Sequence, residues 1–364
     1  MVYLLPVDQL DIERYNHKIS VLSSSQFIPT QLMSASQCQL SAPHPTPTTH
    51  YPHLPPQTFL IGFVVTVAVF LGARALGFQA YVQRGAGKHC THPSAGVPAA
   101  AIGGFLIGAG MMISGACPGT MWAQLGSGEW TALITMAGGI VGVFVFALLH
   151  PYLKNFMAMG KIDKDKFKIY HMLNTTPYIT GGVFMAACIG LVIALMATVY
   201  EPIPDTGKGA DARYWNPVLG GLFIGATQIP LLYAGRALGS STSFVVMASH
   251  LAYPIKSSKY LNGQRGGFGS VWSLPFVLAA AGGSALATVL SENDSWNTAH
   301  VSNIAWYEQF LGGIVLLFGA RLASGCTSGH GITGMGTQSI ISMAATGSMF
   351  LGGIVVAALY NAAA

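Results

Sequence analysis

Long stretches of this chain contain no Asp, Glu, Lys or Arg, and this feature constrains its fold more than any other. The charge-free windows cover residues 89–128, 130–153, 169–200, 214–235, 237–255, 266–291 and 322–364. A membrane-spanning helix needs about 20 mostly apolar residues, and most of the windows are long enough. Only 8% of the residues are charged, against roughly 25% in soluble globular proteins. A soluble α/β enzyme would need polar helices between its strands, so the pattern predicts an all-α polytopic membrane protein.

The chain is predicted to consist of a tail and one membrane region in two halves. Residues 1–56 lack hydrophobic periodicity and are rich in Ser, Thr, Pro and His, so we expect a disordered tail. The halves are predicted at 57–200 and 201–364. Full helices are expected at 58–77, 131–150, 178–200, 215–238, 271–290 and 337–360, and shorter or interrupted segments at 97–125, 241–255 and 304–330.

Charge and cysteine content exclude several classes of function. The net charge of +5 comes from basic residues scattered through short loops, which does not predict a nucleic-acid surface. The five cysteines form no CxxC pair, so neither a metal site nor a disulfide framework is indicated. No nucleotide-binding loop is present, and no cofactor is expected. The basic loop 151–168 predicts a cytoplasmic side, and we expect the plasma membrane to house the protein.

Two segments repeat each other at a shift of 209 residues. Gly103-Gly104, Gly110 and Cys117 recur with the same spacing as Gly312-Gly313, Gly319 and Cys326. A second echo, Arg74-Ala75-Leu76-Gly77 and Arg236-Ala237-Leu238-Gly239, supports an internal duplication. The many glycine pairs predict helices that pack backbone to backbone through small-residue faces.

Each cysteine of the repeat is followed by residues that interrupt a helix. Pro118-Gly119 follows Cys117, and a Gly-rich run over 325–336 contains Cys326. A broken backbone at membrane depth is tolerated only inside protein or beside a water-filled cavity. Paired discontinuous helices in two halves of a duplicated chain therefore predict a transport pathway lined by paired half-helices.

The breaks suit a small, soft anion. Half-helix ends leave backbone N–H groups unpaired, and these attract negative charge. A protonated thiol is a weak S–H donor that bonds a polarisable sulfur or an oxyanion. Cys188 lies in a smooth helical segment, and we interpret it as a small core residue.

The motifs Ser114-Gly115-Ala116-Cys117-Pro118-Gly119-Thr120 and Ser324-Gly325-Cys326-Thr327-Ser328-Gly329-His330-Gly331 resemble the paired cysteine motifs of the YeeE/YedE sulfur-transport family. The resemblance covers about residues 58–360. It implies thiosulfate uptake and an hourglass of full helices whose half-helices meet at the waist. It also implies a third pore cysteine after a Gln-Arg motif. Gln83-Arg84 fits that motif, which makes Cys90 the candidate, although the spacing is longer and an ordinary loop thiol is the alternative.

Two further side chains are candidates for the pathway. Arg321 is an intramembrane cation near Cys326 that would draw anions, partnered by Glu308, or would reach to the membrane interface. His330 would bond the substrate or cap the break, whereas Met247 and His250 are expected to pack. The complete predicted pore set is Cys90, Cys117, Cys326, Gly115, Pro118, Gly119, Gly325, Thr327, Ser328, His330 and Arg321.

The sequence thus predicts a membrane transporter, not an enzyme, for thiosulfate or a related small sulfur anion. Lipid surrounds it, and a cytosolic sulfur-accepting protein is a conceivable partner. Two alternatives stay open: a membrane sulfurtransferase that carries a persulfide on a low-pKa cysteine near a cation, for which Cys90 is the candidate, and a channel for another solute with packed cysteines.

Overall fold

The computed structural model describes residues 54–78, 95–162, 168–199, 217–234, 237–252, 259–265, 273–290 and 304–363. Within these ranges the chain is helical, no β-strand forms, and one isolated antiparallel bridge joins Lys168 to Ser339. The prediction of an all-α protein is confirmed. The α-helices are Leu54–Ala75, Val97–Ser114, Thr120–Gly126, Ala132–Ala158, Ile169–Met172, Pro177–Val199, Pro217–Ala226, Gln228–Ala234, Ser241–Leu251, Lys259–Arg265, Ser273–Leu290, Trp306–Leu322 and Ile340–Ala363, and a π-helix covers Ser328–Gly334.

Five of the described helices are long and apolar enough to cross a membrane. Their apolar windows are Thr58–Ala75, Val97–Ser114, Ala132–Ala158, Pro177–Ala194 and Ile340–Tyr360. Only 17% of the Pro177–Ala194 window is buried inside the chain, against 56% of Val97–Ser114. The outer helices therefore expose apolar side chains to hydrocarbon, and Val97–Ser114 lies at the centre of the bundle.

Two predicted helices differ from the observed ones at prolines. The first helix begins at Leu54, inside the predicted tail, because Pro55 and Pro56 occupy its first turn, where a missing N–H costs nothing. The remainder of the predicted tail lies outside the described residues. The single helix expected at 215–238 is interrupted at Thr227, because Pro230 has no N–H to donate to residue 226.

The repeated segments contact each other along their glycines. We call Val97–Ser114 repeat helix 1 and Trp306–Leu322 repeat helix 2. A Cβ placed on Gly103 would lie 2.7 Å from the carbonyl oxygen of Gly319, and one on Gly319 would lie 2.7 Å from that of Gly103. At the other end, a Cβ on Gly110 would lie 2.8 Å from the carbonyl oxygen of Gly312. The helices are antiparallel. Gly103 contacts Gly319, and their counterparts at the 209-residue shift, Gly312 and Gly110, contact each other, as at an isologous two-fold interface.

The helices that pack against repeat helices 1 and 2 follow the same two-fold relation. Gly104 of repeat helix 1 lies against the backbone of Ala345 in Ile340–Ala363, and Gly313 of repeat helix 2 lies against Thr135 in Ala132–Ala158. Side chains at these glycines would overlap backbone atoms. The prediction of backbone-to-backbone packing is therefore confirmed for these helices, and it fixes the positions of the two helix ends that carry Cys117 and Cys326.

We expect Gly108→Ala to lower the free energy of unfolding by about 1–3 kcal/mol, because an added methyl group overpacks a closed interface. A Cβ on Gly108 would overlap the carbonyl oxygen of Met349. The measurement is thermal unfolding of purified protein in detergent, followed by size-exclusion chromatography.

Gly347→Ala is the matched control, since Gly347 lies on the same partner helix with no atom within 4 Å of an added Cβ. It should leave the unfolding temperature unchanged or raise it slightly, because Ala forms helices better than Gly. Equal destabilisation by both substitutions would contradict the packing described here.

Candidate functional site

The first helix break covers residues 115–119, between repeat helix 1 and Thr120–Gly126. Gly115 is left-handed, with φ of 66°, and its N–H donates to the Met111 carbonyl. The Cys117 N–H donates to Thr120 Oγ1 at 2.6 Å, and the Thr120 N–H donates to Cys117 Sγ at 3.3 Å. Pro118 has no N–H to satisfy. The break is thus predicted correctly, and local hydrogen bonds satisfy the Gly115, Cys117 and Thr120 N–H groups.

The second break covers residues 323–327, between repeat helix 2 and the π-helix. Ser324 has φ of 61° and matches Gly115 at the 209-residue shift. The Gly325 N–H donates to the Ala320 carbonyl at 2.9 Å, which is a left-handed helix cap. The chain then enters the wider turns of Ser328–Gly334 after the half-buried Thr327. π-Helical turns occur often at functional sites.

His330 links the second break to the Ile340–Ala363 helix through two hydrogen bonds. Its Nε2 lies 3.0 Å from the Ala323 carbonyl oxygen, and its Nδ1 lies 3.1 Å from Ser342 Oγ. Ala323 O can only accept, so Nε2 carries the proton and Nδ1 accepts from Ser342. The ring is buried, and a Cβ on Gly325 would lie 2.5 Å from Nε2. Gly325 therefore leaves the space that the imidazole fills.

Cys326 lies among hydrogen-bond donors. Its Sγ is 3.3 Å from Ser328 Oγ and 3.9 Å from Ser240 Oγ. Ser241 contacts it through both its hydroxyl and its backbone N–H, and the Gly329 N–H contacts it as well. Only 1% of Cys326 is exposed, so these donors surround a sulfur that is closed off from solvent.

Ser240 connects the two breaks. Its Oγ lies 3.3 Å from the position that a Cβ on Gly119 would occupy, and that position is 3.9 Å from Cys117 Sγ. The same hydroxyl lies 3.9 Å from Cys326 Sγ. The structure therefore brings both cysteine motifs to one buried serine just before the Ser241–Leu251 helix.

Sequence reasoning did not identify Ser240 or Ser241 as site residues. A signal was available, because the serines directly follow the second copy of the Arg-Ala-Leu-Gly echo. That echo was interpreted only as evidence of duplication.

Arg321 contacts this group through Ser241. Its Nη2 donates to Ser241 Oγ at 2.5 Å, and its buried Nε has no partner among the described residues. The expected pairing with Glu308 is wrong: Glu308 accepts from the Tyr360 hydroxyl at 3.0 Å and from the Ala305 N–H at 3.3 Å. The two residues lie at opposite ends of repeat helix 2, about 20 Å apart at 1.5 Å per residue.

The remaining candidates do not join this group in the described structure. Cys90 lies outside the described residues. Cys188 is half-buried within the uninterrupted Pro177–Val199 helix, most of which is exposed. Met247 packs against the core and His250 bonds the Val246 carbonyl of its own helix. Among the described residues, no three His, Cys, Asp or Glu side chains form a group able to hold a metal ion.

A bundle with five apolar helices long enough to span a membrane, and with two breaks that carry Cys117 and Cys326, defines a multi-pass integral membrane protein. A family model described as sulphur transport matches residues 59–355, and the chain belongs to that family. This confirms the resemblance inferred from the two cysteine motifs.

Two curated relatives come from Xylella fastidiosa, and both are described as a probable transporter. The protein of strain Temecula1 is 27% identical over 146 residues, and that of strain 9a5c is 25% identical over 146 residues. Each match covers 40% of this chain and 94% of the relative.

We expect His330→Ala to lower the free energy of unfolding by about 2–4 kcal/mol, because it leaves a buried carbonyl and a buried hydroxyl without their partner. Thermal unfolding of the purified protein measures the effect. His250→Ala is the control, since that side chain is exposed and bonds only its own helix. Equal unfolding temperatures for the two variants would show that the imidazole does not fasten the break.

Proposed function

We propose that this transporter takes up thiosulfate, or a closely related small sulfur-containing anion, through a pathway lined by the two cysteine breaks. The observation that carries the proposal is the position of Ser240, whose hydroxyl lies within 3.9 Å of Cys326 Sγ and next to Gly119 of the first break. A small anion that leaves one thiol at this point meets the other without crossing apolar surface.

The chemistry around the cysteines supports an anionic, polarisable substrate. Backbone N–H groups of Thr120, Ser241 and Gly329 already converge on the two sulfur atoms. Donors held in a water-poor interior stabilise negative charge more strongly than the same donors in water. Arg321 adds a full positive charge near Cys326, because the Ser241 hydroxyl contacts both residues. Arg321 is half-buried, which favours a role in attracting anions over a position at the membrane interface.

In the proposed mechanism the anion binds to one thiol after another through S–H hydrogen bonds, without a lasting covalent bond. Cys90 would bind the anion first, at the pore entrance, as the family resemblance implies. Cys117 and Cys326 would bind it next. The other motif residues shape the pathway: Gly115 and Pro118 turn the first break, Gly119 and Gly325 leave space beside Ser240 and His330, and Thr327 and Ser328 begin the π-helix.

We further propose that the pathway lies between two inverted halves, 57–200 and 201–364, in the plasma membrane. The reciprocal contacts of Gly103 with Gly319 and of Gly110 with Gly312 support this, because antiparallel equivalent helices place a pseudo-two-fold axis in the membrane plane. The relatives also support it, since their nearly complete length matches less than half of this chain. Delivered sulfur would pass to a cytosolic acceptor protein.

Cys117→Ala and Cys326→Ala should each abolish uptake, because a methyl group cannot donate to the anion. The measurement is uptake of labelled thiosulfate by cells that lack their own transporters, normalised to folded protein in the membrane. Cys188→Ala is the matched control and should transport like the wild type.

Wild-type rates in both pore variants would contradict the relay and leave the cysteines as packing residues. Transport of another solute, unaffected by either substitution, would favour a channel of different specificity.

A membrane sulfurtransferase is the second candidate, and the donors around Cys326 favour it. They would also stabilise a thiolate that attacks the outer sulfur of thiosulfate, releasing sulfite and leaving a persulfide. Mass spectrometry after exposure to thiosulfate distinguishes the two. A stable adduct of one sulfur atom on Cys326 indicates the enzyme, and unmodified protein that still transports indicates the permease.

A further inference from the structure

Gln228 carries a buried amide whose donors have no partner among the described residues. Only 1% of the side chain is exposed, and its Nε2 makes no hydrogen bond. It lies at the interruption between Pro217–Ala226 and Gln228–Ala234, in the middle of an otherwise apolar segment. Buried polar groups are nearly always bonded, so a pair of N–H groups left open in a membrane interior calls for an acceptor that this structure does not hold.

The orientation of the amide follows from its neighbours. The Leu238 N–H donates to Thr333 Oγ1 at 3.2 Å, and Thr333 Oγ1 donates to Gln228 Oε1 at 3.2 Å. Every proton in this chain of bonds has an acceptor. Exchanging the amide oxygen and nitrogen would remove the acceptor of the Thr333 hydroxyl proton. The atom without a partner is therefore Nε2, and both of its N–H groups are hydrogen-bond donors.

The amide is connected to the cysteine site through Thr333, Leu238 and Gly329. The carbonyl oxygen of Leu238 lies 3.2 Å from the position of a Cβ on Gly329, and that position is 3.9 Å from Cys326 Sγ. Thr333 also lies within the π-helix Ser328–Gly334, and Cys326 lies just before that helix begins. Thr333 is fully buried and Cys326 is 1% exposed, so both ends of this connection lie in the protein interior.

We propose that Gln228 is a specificity-determining residue that donates both amide N–H groups to the oxygen atoms of the transported anion, with Thr333 as its positioning residue. The inference rests on the proposed function and adds to it. The cysteines contact sulfur, which hydrosulfide also offers, whereas the Gln228 amide contacts oxygen. The transporter should therefore select oxyanions such as thiosulfate and sulfite over hydrosulfide.

The test is binding of thiosulfate, sulfite and hydrosulfide to purified protein, measured by calorimetry alongside uptake in cells. Gln228→Met keeps the length of the side chain and removes its donors. It should weaken binding of both oxyanions by about tenfold or more, since hydrogen bonds to charged groups are among the stronger ones. Hydrosulfide binding should not change. Gln309→Met is the control, because it also removes a buried amide, and it should bind all three anions like the wild type.

Thr333→Val provides a second variant that leaves Gln228 in place, and it should weaken oxyanion binding by a smaller factor that Thr333→Ser restores. Unchanged oxyanion affinity in folded Gln228→Met or Thr333→Val, or equal weakening for hydrosulfide, would overturn the inference. A wild-type protein that binds no oxyanion would overturn it too. Oxyanion binding that depends on Gln228 without any uptake would instead leave it standing and refute the transport proposal.

Discussion

Every backbone polar group at membrane depth must find a hydrogen-bond partner inside the protein, and the two helix breaks depend on how that demand is met. Residues in or near each break supply such partners. Thr120 accepts the Cys117 N–H, the left-handed residues Gly115 and Ser324 cap their helices, and His330 holds the Ala323 carbonyl. The Cys326 sulfur and the Ser240 and Ser328 hydroxyls then lie together at the second break.

Close packing of glycines makes this arrangement possible. The backbones of repeat helices 1 and 2 approach so closely at Gly103 and Gly319 that even an alanine would collide. Lipid tails are as apolar as leucine, so helix association in a membrane relies on such contacts more than on hydrophobic burial. Because the contacts are reciprocal, the two helices are fixed relative to each other. Ser240 lies beside both breaks, next to Cys326 Sγ in the second and next to Gly119 in the first.

Much of the fold could be predicted from the sequence, because the membrane imposes a simple rule on charge. The windows without charge correspond to most of the observed helices, and Pro118-Gly119 and Gly325 lie in the two breaks. Contacts between distant segments could not be predicted in this way. The pairing of Arg321 with Ser241 instead of Glu308, the bridging position of Ser240 and the open amide of Gln228 depend on how helices turn about their axes. Hydropathy does not report that rotation.

The central claim is that one small sulfur anion passes both thiols at Ser240, and locating the anion tests it most directly. An experimental structure with the selenium analogue of thiosulfate, positioned by anomalous scattering, would give its location. We expect a selenium peak within hydrogen-bond distance of Ser240 Oγ, between the sulfur atoms of Cys117 and Cys326. A peak elsewhere in the bundle, with Ser240 and both thiols unoccupied at saturating anion, would contradict it.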